Sequence, residues 1–197
     1  MRLLVFSDIH NDMAALAKLM EIEADCYIAA GDTVSLARGL HQAGEIMARR
    51  AGKVWVLPGN HESEADIARM CSRHGLNQLH GRTFEAGGHF IAGLGYSNPT
   101  PFNTPGEYSE TEIARRLAAF AGLSPLALMC HCPPKGTPLD RVRAGVHIGS
   151  TAVREFLDRH PPAHFVCGHV HEAAGVVCDL GPTRAANAGK QGYLLEI

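Results

Sequence analysis

Five short apolar runs in this chain each stop at a residue able to bind a cation, and no other feature limits its fold as much. The runs are Leu3–Ser7, Cys26–Ala30, Lys53–Leu57, Leu126–Cys130 and Ala163–Cys167. Uninterrupted runs of this length read as strands buried on both faces, as in a parallel sheet covered by helices. Helical spacing separates the first three. Met13, Leu16, Leu19 and Met20 form one stripe with Asn11 as the expected N-cap, a second helix is predicted over Leu36–Arg50, and a third over Glu62–His74 with Ile67 and Met70 inward. Strand and helix in alternation predict a parallel α/β half, whose chemistry collects at the carboxyl ends of its strands.

The second half is less regular. Phe84–Tyr96 reads as a hairpin turning at Gly87-Gly88, its second strand being His89–Leu94. Ser97–Tyr108 contains Pro99, Pro101 and Pro105 without periodicity, and a loop of that length suggests function rather than mere connection. An amphipathic helix is predicted over Glu110–Ala121 and another over Thr151–Arg159. After His131, Cys132-Pro133-Pro134 cannot continue a strand, because proline has no N–H to donate. The segment from there to Ser150 carries Lys135, Arg141, Arg143 and His147; Arg141, Arg143 and His147 are the candidates for binding a substrate phosphate. Ala173–Ile197 reads as short antiparallel strands closing the fold. With no linker and no repeat, residues 1–197 are expected to form one domain.

Composition removes several classes of function. Hydrophobic residues make up 46% and charged residues 19% of the 197, a globular mixture. A net charge of -2 gives no case for a nucleic-acid or membrane surface. No apolar run approaches the roughly 20 residues that span a bilayer. Met1–Phe6 has the look of a signal-peptide start, but Asp8, His10 and Asp12 interrupt it. The six cysteines include no CxxC pair, and Cys26, Cys130 and Cys167 fall in buried strands, so a reducing cytoplasm is the expected compartment. A homo-oligomer is compatible with this composition.

The strand ends carry Asp8 and His10, then Asp32, then Asn60 and His61, then His131, then His169 and His171. Any one histidine is unremarkable; this set at five successive strand ends is not. Asp8, His10, Asp32 and His171 would hold one divalent cation, and Asp32, Asn60, His131 and His169 a second. Asp32 bridges because a carboxylate has two oxygens. Two metals roughly 3.5–4 Å apart clamp a phosphoryl group and activate water. His61 is left free to protonate a leaving alkoxide, so Asp32 and His61 are the catalytic candidates. The mixture of carboxylate, imidazole and amide suits Mn, Fe, Zn, Co or Ni better than Mg.

Asp8-x-His10, Gly31-Asp32, Gly59-Asn60-His61-Glu62, His131 and Gly168-His169-x-His171 together resemble the signature of the calcineurin-like metallophosphoesterases. The resemblance runs from Arg2 to Ile197 with order and spacing kept. It implies an α/β four-layer sandwich, two mixed β-sheets flanked by helices, with a dinuclear metal centre at the loops. Pro58, His131-Cys132-Pro133-Pro134, Gly145-Val146-His147 and the Asn187-Ala188-Gly189 turn are similar to the small prokaryotic phosphoesterases of that superfamily. The protein Ser/Thr phosphatase branch fits poorly: Ser35 and Leu36 stand where it has Asp and Arg, and Pro58 where it has a phosphate-binding Arg. The expected activity is hydrolysis of a small or nucleotide-like phosphodiester. A phosphomonoesterase and a non-catalytic metal-binding scaffold are the alternatives.

Overall fold

Alternate residues of the buried strands face two different cores, and that alternation builds the layers. The computed structural model describes residues 1–197. Its first part runs β1 (Arg2–Phe6), α1 (Met13–Leu19), β2 (Cys26–Ala30), α2 (Leu40–Met47), β3 (Val54–Leu57), α3 (Glu64–His74) and β4 (Asn77–Gln78). The rest runs β5 (Arg82–Ala86), β6 (His89–Leu94), α4 (Glu110–Leu117), β7 (Leu126–Cys130), β8 (Arg141–Arg143) and β9 (Val146–His147). Then come α5 (Thr151–Arg159), β10 (His164–Cys167), β11 (Val177–Leu180), β12 (Thr183–Asn187) and β13 (Tyr193–Glu196). A five-stranded sheet has the order β13-β1-β2-β3-β4, a six-stranded sheet the order β11-β12-β10-β7-β6-β5, and β8 and β9 form a separate hairpin.

Leu3 and Val5 of β1 and Cys26, Ile28 and Ala30 of β2 pack between the sheets against Ile91, Ala127, Met129 and Val166. Their neighbours Leu4, Phe6, Tyr27 and Ala29 face outward onto Leu16, Met47 and Ile67 of α1, α2 and α3. On the far side Leu128, Cys130, Phe165 and Cys167 pack onto Ile113 and Leu117 of α4 and Val153 and Phe156 of α5. The result is the helix–sheet–sheet–helix sandwich that the resemblance implied. β1, β2, β3 and β4 are mutually parallel, as are β6, β7, β10 and β12.

Four expectations are corrected. The tail is not a simple antiparallel closure: β11 and β12 form a hairpin, but β12 lies parallel to β10, and β13 crosses to pair antiparallel with β1 in the other sheet. The first helix is capped by Asp12, whose Oδ1 accepts the Ala15 N–H at 3.0 Å. Asn11 is used elsewhere, accepting from Ser35 N–H at 2.8 Å and donating to Arg38 O at 2.7 Å. That bridge holds the following segment in turns, with Leu36 and Ala37 at positive φ, so the second helix starts at Leu40 rather than Leu36. The third starts at Glu64, behind a Ser63–Asp66 capping box, because the Glu62 side chain is turned inward. No helix is long and apolar enough to cross a membrane.

Ile28 lies fully buried between the sheets. Ile28→Ala should lower stability by about 2–5 kcal/mol, read as a fall in urea midpoint at unchanged slope. Val177→Ala, on an exposed edge strand, should change it by less than about 0.5 kcal/mol. Equal effects would contradict the layering.

Candidate functional site

The loops after the buried strands are bent into backbone that side chains resist. Asp8, His10, Asp32 and His169 take φ of 55°, 44°, 51° and 70°. The left-handed region is uncommon outside glycine, although Asp, Asn and His enter it more readily than most. Such strain persists only where the surroundings hold it. Two glycines permit the close approach: a Cβ on Gly59 would overlap the Asp32 carboxylate, and one on Gly168 would overlap that of Asp8.

The side chains converge in two groups that share Asp32. In the first, His10 Nε2 lies 3.1 Å from His171 Nε2, 4.0 Å from Asp8 Oδ1 and 3.6 Å from Asp32 Oδ2. His171 Nε2 is 3.5 Å from Asp8 Oδ1. In the second, His131 Nε2 lies 3.4 Å from Asp32 Oδ2 and 3.2 Å from Asn60 Oδ1, and His169 Nδ1 lies 2.9 Å from that same amide oxygen. Asp32 Oδ2 thus faces both groups, while its Oδ1 accepts the His61 N–H at 2.9 Å. All seven ligand candidates named from the sequence are brought together here, and His61 stands beside them, its ring centroid 5.0 Å from that of His10.

Other residues fix these groups. Asp8 accepts Ser7 Oγ–H at 2.6 Å and the His169 N–H at 3.1 and 3.0 Å. Asn187 Nδ2 donates to Gly168 O at 3.1 Å and Val170 O at 3.0 Å, gripping the loop on both sides of His169. His131 Nδ1 donates to Ala30 O at 2.9 Å, which turns Nε2 towards Asp32 and Asn60. His61 Nδ1 accepts the Leu36 N–H at 3.3 Å, which leaves the ring proton on Nε2. The Asn60 amide is set from outside: its Nδ2 donates to Thr104 Oγ1 at 3.1 Å, and Thr104 Oγ1 donates to Glu107 Oε1 at 2.6 Å. Glu107 Oε1 also accepts from Thr100 Oγ1 at 2.6 Å and Thr104 N–H at 2.8 Å. Sequence reasoning flagged this loop by its length and overlooked the relay, whose signal is the Thr-x-x-Glu spacing from Thr104 to Glu107.

A family model for calcineurin-like phosphoesterases matches residues 1–173. The chain belongs to that family. A Methanocaldococcus jannaschii protein, itself uncharacterized, is 29% identical over 202 residues, covering 99% of this chain and 91% of the relative. Among solved structures, a Thermus thermophilus protein superposes with a TM-score of 0.75 at 17% identity, covering 96% of this chain and 90% of that one. A phosphopantetheinyl hydrolase from Mycobacterium tuberculosis gives 0.65 at 18% identity, with 95% and 88% covered. A dimetal phosphatase from Danio rerio gives 0.62 at 16% identity, with 94% and 86% covered. These structural likenesses confirm the fold. As a calcineurin-like phosphoesterase the protein is a metal-dependent phosphoester hydrolase, and the family uses divalent ions, usually two.

The donors of this phosphoesterase fit such ions. Beside a group that joins His61 to His10 and Asp32, Asp8, His10 and His171 form one set of ligand atoms within 4.8 Å of one another, and Asp32, His131 and His169 form another. Both are carboxylate–imidazole mixtures of the kind transition metals take. Burial by itself would raise the pKa of Asp8, but its His171 hydrogen bond and the charge of His131 bring it below the ordinary value. Asp32 is lowered in the same way, burial being outweighed by the charge and hydrogen bond of His131. Burial likewise opposes the charged form of His131, yet Asp32 raises its pKa to about 9. His169, desolvated and repelled by His131, falls to about 4. Cys130 and Cys132 are buried in the outer core of the second sheet and lie outside both donor sets.

Two clefts meet at the site. The larger, about 650 Å³, reaches from His10, Asp32, Asn60, His61, His169 and His171 to Asn98–Phe102, Lys135 and Ile148. The smaller, about 410 Å³, shares His10 and His171 and extends over Asp8, Asp12, Gly189 and Lys190. Arg141, Arg143 and His147 line neither. Arg141 and Arg143 are exposed on the β8–β9 hairpin, and His147 Nδ1 is bound to the buried Asp140 at 2.7 Å. Asp140 also accepts Gly136, Thr137 and Gly149 N–H groups, folding the segment so that Lys135 is its cation in the cleft.

Two tests follow from this geometry. Thr104→Val should weaken binding of a divalent metal by about 10–100-fold in titration calorimetry, and Thr104→Ser should restore it. Equal isotherms would remove the relay. Below pH 9 the metal-free protein holds a proton on His131, which a cation must displace; metal binding at pH 7 should therefore release about one proton from it and tighten as pH rises. Calorimetry in buffers of different ionisation enthalpy measures this, and zero release would contradict it.

Proposed function

We propose that the protein is a phosphodiesterase acting on a small or nucleotide-like substrate at two divalent cations. Asp8, His10, Asp32 and His171 would hold one, and Asp32, Asn60, His131 and His169 the other, with Asp32 Oδ2 between them. The donor set favours Mn, Fe, Zn, Co or Ni over Mg. When bound, such a pair supplies Lewis-acid charge to the phosphoryl oxygens and brings the pKa of a water towards neutrality.

The residues do the rest. Asp32 fixes its own Oδ2 by accepting the His61 N–H on Oδ1. His61 directs its Nε2–H at the departing alkoxide, which water alone would stabilise poorly, and a proton released by the attacking water replaces the one it gives up. The observation that carries the diester reading is the pair of clefts. A phosphate monoester has one organic arm and needs one cleft; here two clefts of about 650 Å³ and 410 Å³ share His10 and His171 in their linings, room for one arm in each.

Metal-stripped protein, given Mn, Ni, Zn or Mg in turn, should hydrolyse bis-p-nitrophenyl phosphate faster than p-nitrophenyl phosphate. Asp32→Asn should abolish turnover, and His61→Ala should reduce it by about 10²–10⁴-fold with an alcohol leaving group of high pKa. Preference for the monoester would replace this reading with a phosphomonoesterase. Silence with every metal would overturn it.

A further inference from the structure

The larger cleft carries chemistry that phosphoester cleavage alone does not require. Phe102 is 79% exposed and Ile148 42% exposed, and both line it next to Pro99 and Pro101. An aromatic ring left in water beside a reaction centre is a surface for stacking. Lys135 lines the same cleft without an ion-pair partner. Glu110, a carboxylate lining the same cleft, is taken up by Ser150 Oγ at 2.6 Å and by the N–H groups of Thr151 and Ala152 at 3.3 and 2.9 Å. In the smaller cleft the cation is already neutralised, Lys190 Nζ lying 3.1 Å from Asp12 Oδ2. The two clefts therefore differ in kind.

They differ also in their access to the proton donor. His61 lines the larger cleft and is not part of the smaller. A general acid must touch the oxygen that departs. Building on the phosphodiesterase reading, we infer that the larger cleft receives the leaving arm, and that this arm is an alcohol bearing a flat aromatic ring for Phe102 and a second anionic group for Lys135. A nucleoside phosphate has that chemistry. The smaller cleft takes the arm that stays on phosphorus. In the step itself the oxygen of water bonds to phosphorus and the bond from phosphorus to the aromatic-bearing oxygen breaks. That oxygen takes the proton of His61, which one hydrogen of the water replaces; the other hydrogen of the water goes with the new monoester.

The choice of bond is the test. Adenosine 5′-(methyl phosphate) and its 3′-phosphorylated derivative are incubated with the Mn-loaded enzyme, with bis-p-nitrophenyl phosphate in parallel. The inference expects adenosine, or adenosine 3′-phosphate, together with methyl phosphate. Label from ¹⁸O-water should appear in methyl phosphate. The 3′-phosphate should lower KM by about fivefold, the scale of a solvent-accessible charge pair, and Lys135→Ala should erase that difference. Phe102→Ala should raise KM for both nucleoside diesters by about tenfold, the scale of one base–aromatic stack, and Phe102→Trp should restore it. Release of methanol and an adenosine 5′-phosphate would reverse the assignment of the arms and overturn the inference. Turnover of bis-p-nitrophenyl phosphate with neither nucleoside diester cleaved would overturn it while leaving the phosphodiesterase standing. Failure on all three would overturn both.

Discussion

The carboxylate of Glu62 is completely buried, and the geometry of the site depends on it. It accepts the Gly59 N–H at 2.8 Å, the Asp32 N–H at 3.1 Å and the Val34 N–H at 2.9 Å. These donors belong to the loops that follow two neighbouring strands, so one side chain sets the distance between Asp32 on one loop and Asn60 and His61 on the other. Burial and the neighbouring Asp32 push its pKa up to about 8, and the N–H groups of Val34 and Gly59 work against that rise. A carboxylate with no N–H groups to accept would be costly here. This one replaces water with fixed donors and in return holds the backbone where Asp32 sits at positive φ.

Rigidity of this sort is what a preorganised site needs. The candidate donors lie on both sides of one oxygen, Asp32 Oδ2, and nearly all are restrained by a second contact. Asp8 is held by Ser7 and the His169 N–H, His131 by Ala30 O, Asn60 by Thr104, His10 by Ser35 Oγ at 3.2 Å. The carboxylates and imidazoles shift one another's protonation, and the sum of those shifts depends on the charge that enters the site. The rim, by contrast, presents exposed groups, Phe102 and Lys135, which are free to adapt to what they bind.

Much of this could be read along the chain, for a physical reason. Strands buried on both faces leave unbroken apolar runs, so their ends are easy to locate, and a polar residue just past such an end has few places to be except the loop edge of the sheet. That made Asp8, Asp32, Asn60, His131 and His169 visible as a set. Local choices between equals were less visible. Asn11 and Asp12 are both good caps, and which one capped the helix depended on a bridge from Asn11 to Arg38 and Ser35 across 27 and 24 residues. Arg141 and Arg143 outnumber Lys135 in their segment, but the buried Asp140 decides which cation faces the cleft. The parallel seating of β12 beside β10 is likewise set by packing between sheets, which adjacent residues do not record. The division of the fold into helix–sheet–sheet–helix came from resemblance, and the alternation of Leu3, Val5, Cys26 and Ile28 against Leu4, Phe6, Tyr27 and Ala29 explains it.

The candidate ligand groups are split between the sheets: Asp8, Asp32 and Asn60 follow strands of one, His131 and His169 follow strands of the other. The contact between Asp8 and His169 closes a span of 161 residues. Such a centre cannot be assembled locally during synthesis. A chain that has emerged only as far as β4 holds Asp8, His10, Asp32 and Asn60 without His131, His169 and His171, and so binds a cation weakly if at all. The full candidate donor set comes together only when β10 docks beside β7, and from then on a cation held by it would stitch one sheet to the other. Hydrolytic capability is thereby withheld from unfinished chains and granted together with tertiary structure.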